Sequence, residues 1–73
     1  MSVKRLNRIK SVLAEKNKTN KWLARELNMS ETTVSNWCTN VRQPSLETLS
    51  VIASALKIDL RELINPEYAM TNE

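Results

Sequence analysis

The chain has 73 residues, of which 41% are apolar, with 11 Lys+Arg against 8 Asp+Glu. That length suits one domain with a small core and leaves no room for a deep, walled pocket. Because the sequence has no His, no Gly and a single Cys, it excludes His-based nucleophile pairs, glycine-rich phosphate loops and a structural zinc site. We therefore expect a cytoplasmic, non-enzymatic protein with no cofactor, no metal and no membrane span.

Apolar residues recur at helical spacing along most of the chain, and no stretch alternates as a strand would. Five stripes follow in chain order: Leu6, Ile9, Val12 and Leu13; Leu23, Ala24 and Leu27; Val34 and Trp37; Leu46, Leu49, Ile52, Ala53 and Leu56; Leu60, Leu63 and Ile64. The pattern predicts an all-α fold of five short helices in one domain over residues 1–66.

Helix-capping residues stand immediately before four of these stripes: Thr19, Ser30, Ser45 and Asp59. Their side-chain oxygens can accept hydrogen bonds from free backbone N–H groups. Asp59 and Glu62 have the spacing of a capping box. Pro66 is expected to end the last helix near Asn65, and residues 67–73 to form a flexible C-terminal tail.

The absence of Gly raises the question of how the helices end, since a left-handed Gly is the usual terminator and Asn the next most tolerant residue. An Asn follows each of the first three stripes: Asn17, Asn28 and Asn40. We predict that all three adopt left-handed backbone conformations.

The central stretch, residues 19–39, combines two helices of about two turns with a tight turn at residues 28–30. Ala24 is small where a second helix must cross closely, and Val34 and Trp37 face the same core. Two helices crossing through a short turn form a helix-turn-helix, whose second helix can enter the major groove of DNA.

Five segments with regular spacing extend this pattern: Asn20-x-x-Leu23-Ala24, Asn28-Met29-Ser30, Val34-Ser35-Asn36-Trp37, Pro44-Ser45-Leu46 and Leu49-x-x-Ile52-Ala53-x-x-Leu56. Together they resemble the Cro/phage-repressor (XRE-type) helix-turn-helix family. The resemblance covers residues 19–64 and implies a repressor-like DNA-binding domain. It further implies sequence-specific binding to double-stranded operator DNA and transcription regulation, with a repressor the expected role, in a bacterial or phage nucleoid.

Three features depart from the family pattern. Asn20 replaces the usual Gln, so its side chain is shorter by one methylene. Asn stands where the family has Gly. Leu13 and Cys38 occupy the positions of an Arg–Glu ion pair, which can be replaced by an apolar contact at little energetic cost. Cys38 is therefore expected to be a small core residue.

The recognition helix is predicted at about residues 31–39, with four polar residues facing outward: Glu31, Thr32, Ser35 and Asn36. The resemblance places base contacts at these positions. Asn36 could bond adenine, Thr32 could pack on a thymine methyl group, and Glu31 could accept from cytosine. Glu31 has an equally good alternative role, because an acid in the first turn favours the helix dipole.

The charge is unevenly distributed. Residues 1–25 carry a net +7 and the remaining 48 residues a net −4. The N-terminus of the second helix favours phosphate, and the loop after the recognition helix resembles the family's second phosphate clamp. The predicted phosphate contacts are Lys18, Asn20, Lys21, Asn40, Arg42 and Gln43.

A reader this small gains specificity by binding two half-sites, so we expect a homodimer. The last stripe, with Tyr68 and Met70, could supply the dimer contact, or its Leu and Ile residues could simply complete the core. Trp22 could cover the end of the first helix or anchor a partner. Two rival functions remain open: an antitoxin whose partner is a toxin protein, and a protein-interaction module on the same scaffold.

Overall fold

The computed structural model describes the backbone of residues 5–69 and the side chains of residues 5–67. Its elements in chain order are α1 (Ile9–Glu15), α2 (Asn20–Leu27), α3 (Glu31–Cys38), α4 (Leu46–Leu56), a 3-10 helix (Leu60–Leu63) and the single-turn α5 (Pro66–Ala69). The all-α prediction is confirmed. No helix within residues 5–69 is long and apolar enough to cross a membrane.

All four predicted N-caps are confirmed. Thr19 accepts from the N–H of Trp22 at 3.0 Å, and Ser30 accepts from the N–H of Thr33 at 3.1 Å. Ser45 caps α4 in the same way. Asp59 forms the expected capping box with Glu62 at the start of the 3-10 helix. Each cap satisfies an otherwise unbonded N–H group and so fixes where its helix begins.

The left-handed asparagines are also confirmed, with φ of 58° at Asn17, 57° at Asn28 and 62° at Asn40. After each of them, the next N–H bonds to a carbonyl five residues back, as in Lys18 to Leu13 at 2.8 Å. This is the bond that closes a helix C-terminus. Sequence reasoning missed a fourth left-handed residue, Lys57, with φ 58° at the end of α4.

The core is one cluster drawn from every helix of seven residues or more and from the 3-10 helix: Ile9, Val12, Leu13, Leu23, Ala24, Val34, Trp37, Cys38, Leu49, Ile52, Ala53, Leu56 and Leu63. Leu63 is fully buried, and Leu60 and Ile64 are half-buried against the cluster. The last stripe therefore completes the core. Tyr68 and Met70, the other members of the predicted dimer patch, lie outside the described side chains.

The fifth predicted helix is a 3-10 turn instead, because the backbone bonds after Asp59 span three residues, as in Glu62 N–H to the Asp59 carbonyl at 2.9 Å. The prediction that Pro66 ends a helix near Asn65 is wrong. Pro66 begins α5, where its missing N–H costs nothing, and the Asn65 side chain accepts from the N–H of Glu67 at 3.1 Å. Residues 70–73 of the predicted tail lie outside the described residues.

The segment before α1 pairs with the segment after the 3-10 helix. Asn7 and Ile64 form an isolated antiparallel bridge, with Arg8 N–H bonded to Leu63 O at 2.8 Å and Asn65 N–H to Leu6 O at 2.9 Å. These bonds join the two ends of the described chain and fix the start of α1 to the end of the 3-10 helix.

Candidate nucleic-acid interface

The turn between α2 and α3 is set by its own hydrogen bonds. Left-handed Asn28 ends α2, Met29 N–H bonds back to Ala24 O at 2.9 Å, and Ser30 caps α3. Ala24 is buried on α2, in the core cluster that α2 shares with α3. Because both helix ends are fixed locally, the angle at which α3 leaves the domain is fixed as well.

One face of α3 holds the helix to the core. Val34 is 0% exposed, Trp37 5% and Cys38 3%. The opposite face carries Glu31, Thr32 and Ser35, which are exposed, and Asn36, which is half-buried. These are the four residues predicted to contact bases.

The structure brings those four side chains together with Asn20 from α2. All five line a single open groove of about 320 Å³: Asn20, Glu31, Thr32, Ser35 and Asn36. We call this surface the recognition groove. Its lining presents carboxylate, hydroxyl and amide groups and carries no large apolar side chain, which suits hydrogen bonding to base edges.

Cys38 and Leu13, which replace the family's ion pair, both lie in the core. The expectation of an apolar contact needs one addition, because the Cys38 thiol donates to Asn20 Oδ1 at 3.3 Å. Burial raises the pKa of the Cys38 thiol, and the positive charge of Lys10 opposes that shift. The thiol therefore stays protonated as a donor, and it orients the Asn20 amide at the edge of the recognition groove.

Asn40 does not lie where a phosphate contact needs it. It is 6% exposed, its Oδ1 accepts from Asn7 N–H and from Gln43 Nε2, each at 3.0 Å, and its Nδ2 donates to Asn7 O at 3.3 Å. The Asn40 amide is therefore engaged in hydrogen bonds inside the protein. Left-handed Asn40 turns its amide inward, and sequence spacing gave no sign of this.

Asn7 is a buried structural position that the sequence analysis missed. It is 6% exposed, and its Nδ2 donates to Trp37 O at 3.0 Å and to Gln43 Oε1 at 2.8 Å. Its Oδ1 accepts from the N–H of Ile9, the first residue of α1, at 3.0 Å. Because the first apolar stripe starts at Leu6, Asn7 lies inside it, and the pattern of caps before stripes gave no signal for this residue. We call Asn7, Asn40 and Gln43 the amide junction. It links the start of α1 to the end of α3.

The remaining predicted phosphate contacts divide into two groups. Lys21, Arg42 and Gln43 are exposed, although the Gln43 amide also bonds within the amide junction. Lys18 extends to the other side of α2, where its Nζ lies 4.8 Å from the centre of the Trp22 ring. That ammonium is engaged in a cation–π contact and does not line the recognition groove.

Comparison with known proteins agrees with this geometry. A family model described as helix-turn-helix matches residues 9–63. A crystal structure of a candidate DNA-binding protein from Bacteroides fragilis is similar, with a TM-score of 0.81, 57% sequence identity, and coverage of 82% of this chain and 97% of that one. A search of curated proteins found no match. The capped turn between α2 and α3 and the recognition groove agree with this match. The family-model match shows that this chain belongs to the Cro/phage-repressor (XRE-type) helix-turn-helix family of DNA-binding proteins.

Proposed function

We propose that the chain binds operator DNA sequence-specifically, with α3 in the major groove, and acts as a transcriptional repressor. The observation that carries this proposal is the recognition groove. Its α3 side chains are held outward by a helix whose other face is buried. Since the caps at Thr19 and Ser30 fix both helices locally, the groove is formed before DNA arrives.

Within that groove we assign base contacts to Glu31, Thr32, Ser35 and Asn36. Asn36 has the amide donor and acceptor that bond adenine in bidentate fashion, and Thr32 has a methyl group to pack on thymine. Glu31 is the one acid among them and favours a cytosine amino group over any purine acceptor.

We assign phosphate contacts to Asn20, Lys21, Arg42 and Gln43. Asn20 and Lys21 occupy the first turn of α2, where free N–H groups and the helix dipole attract an anion. Arg42 and Gln43 are exposed in the loop after α3. Lys18 and Asn40 are left out because their polar groups are engaged elsewhere.

Two copies on two half-sites would supply the specificity that one short recognition helix lacks, so we propose a homodimer on DNA. Leu63 is buried and is not available for that contact. Exposed apolar surface is found instead on α4, where Leu46 is 70% exposed and Val51 53%.

Selection of binding sites from random duplex DNA at moderate salt tests the proposal. We expect an inverted repeat to be enriched. Asn36→Ala should then relax preference at one base-pair position. Arg42→Ala should weaken all sites alike and reduce the slope of log K against log salt by about one unit.

The outcomes separate the parts of the proposal. Enrichment of a single half-site would support sequence-specific DNA binding and contradict the proposed homodimer. Unchanged specificity in Asn36→Ala would show that α3 docks in another register. No enrichment by well-folded protein would remove the DNA-binding function itself.

A further inference from the structure

A second surface depression lies where α1 ends, where α4 ends and along the intervening face of α2. It has a volume of about 400 Å³ and is lined by Lys16, Lys18, Trp22, Ala55, Leu56 and Lys57. We call it the tryptophan groove. Three of its six lining residues are lysines, and none is acidic.

The tryptophan groove and the recognition groove share no residue. On α2, Trp22 follows Asn20 by two positions, which is about 200° around a helix. The two grooves therefore occupy opposite faces of α2. DNA held by α3 would leave the tryptophan groove open.

Trp22 gives this groove an apolar surface and a hydrogen-bond donor. The ring is half-buried and packs against the core cluster, with the Lys18 ammonium 4.8 Å from its centre. Among the hydrogen bonds of the described residues, none uses the indole N–H of Trp22. An indole N–H is a donor only, so it can bond a carboxylate from outside.

Lys57 shows an unusual choice of residue. It is left-handed, with φ 58°, a conformation that costs a side chain with a Cβ roughly 1–2 kcal/mol unless it is Asn or Asp. The other three left-handed positions are all Asn. Lysine at the fourth puts a charge into the tryptophan groove at the expense of backbone energy.

We propose that the tryptophan groove docks a partner protein through an acidic peptide segment with a central apolar side chain. Lys16, Lys18 and Lys57 surround the site with positive charge, which selects carboxylates. Trp22 and Ala55, both half-buried, provide the apolar contact that a purely ionic attraction would not use.

An array of eight-residue peptides tests this, with a central Leu or Ser flanked by Glu, Gln or Lys. We expect labelled protein at 150 mM salt to bind the Glu-flanked Leu peptides above all others. Titration of the strongest peptide into ¹⁵N-labelled protein should then shift the Trp22 indole signal and the amides of Ala55 and Lys57, leaving those of Ser35 and Asn36 in place.

Matched variants sharpen the test. Lys57→Asn keeps the left-handed backbone, removes the charge and should weaken peptide binding about two- to five-fold, with DNA binding unchanged. Trp22→Ser removes the apolar surface and should abolish the preference for Leu over Ser peptides, with circular dichroism as the check on folding. Lys10→Gln makes the same charge change outside both grooves and should have no effect.

Four results would overturn the proposal. Glu-flanked Ser peptides could bind as well as the Leu peptides, or Lys10→Gln could weaken binding as much as Lys57→Asn does. Either result would mean that peptide binding is a nonspecific electrostatic attraction to the basic protein. Duplex DNA could shift the Trp22 and Lys57 signals, which would make the groove a DNA contact. Shifts that grow with protein concentration alone would make it a self-interface.

Discussion

Asn36 and Asn40 are one helical turn apart in the sequence and have opposite surroundings. Asn36 lines the recognition groove, and no hydrogen bond of its side chain occurs among the described residues. Asn40 is 6% exposed and bonded to Asn7 and Gln43. Both were predicted to touch DNA.

The difference lies in the backbone between them. Asn36 is inside α3, where its direction follows the helix and the buried face of Trp37. Asn40 follows the helix end in a left-handed conformation, which turns its amide toward the start of α1. An amide side chain is thus free to bond a ligand in one region and forms part of the internal scaffold in the other. The following changes test that contrast.

Asn7→Ala should have the largest effect on stability. It removes the hydrogen bonds of the Asn7 side chain to Trp37 O, Gln43 Oε1 and Ile9 N–H. Trp37 O keeps the N–H of Asn40, but the N–H of Ile9 loses its partner, and a buried unpaired group costs about 1–3 kcal/mol. We expect the free energy of unfolding in urea to fall by about 2–3 kcal/mol. Asn36→Ala is the control and should change it by less than about 0.5 kcal/mol. Equal losses of stability in the two variants would show that the Asn7 side chain contributes no more to folding than the Asn36 side chain does.

Asn40→Gly separates structure from DNA reading. Glycine keeps the left-handed backbone and removes only the amide, so we expect a loss of about 1–2 kcal/mol in stability. DNA affinity and its salt slope should stay as in the wild type once both proteins are measured below their unfolding transitions. Weaker binding to all DNA sequences alike, with a smaller salt slope, would return Asn40 to the predicted phosphate contacts.

Lys57→Asn should raise stability, because it relieves the left-handed conformation of a lysine. We expect a gain of about 0.5–1 kcal/mol, measured as a higher melting temperature. Asn28→Gly is the matched comparison at a left-handed position that already suits its residue, and it should be neutral or slightly stabilising. No gain from Lys57→Asn would mean that the lysine side chain contributes as much to folding as its backbone costs.

The smallest effect concerns Asp59. Hydrogen bonds from the Arg61 side chain and backbone, together with its positive charge, lower the pKa of Asp59 to about 2. Because the pKa is depressed in the folded chain, this contribution is complete above the ordinary Asp pKa of about 4. It is lost as the pH falls from about 4 to about 2. The stability gap between wild type and Asp59→Asn should narrow over that range in urea titrations. A constant gap would show that the cap does not depend on the charge.

The sequence by itself determined the parts of this protein that depend on neighbours along the chain. Apolar spacing predicted α1 to α4, and a hydroxyl or carboxylate before α2, α3, α4 and the 3-10 helix predicted the caps at Thr19, Ser30, Ser45 and Asp59. Asparagine in the absence of glycine gave three of the four left-handed ends. The outward face of α3 followed from the same spacing, since Val34 and Trp37 must point to the core.

Only the tertiary structure decided which polar side chains remain free. Asn7 and Asn40 are 33 residues apart, and no local pattern links them. Lys18 lies over Trp22 in the groove where the ends of α1 and α4 meet the first turn of α2. The bridge between Asn7 and Ile64 likewise joins segments that no local pattern links. Helix ends depend on the one or two capping residues beside them in the sequence. These contacts depend instead on how all the helices pack together.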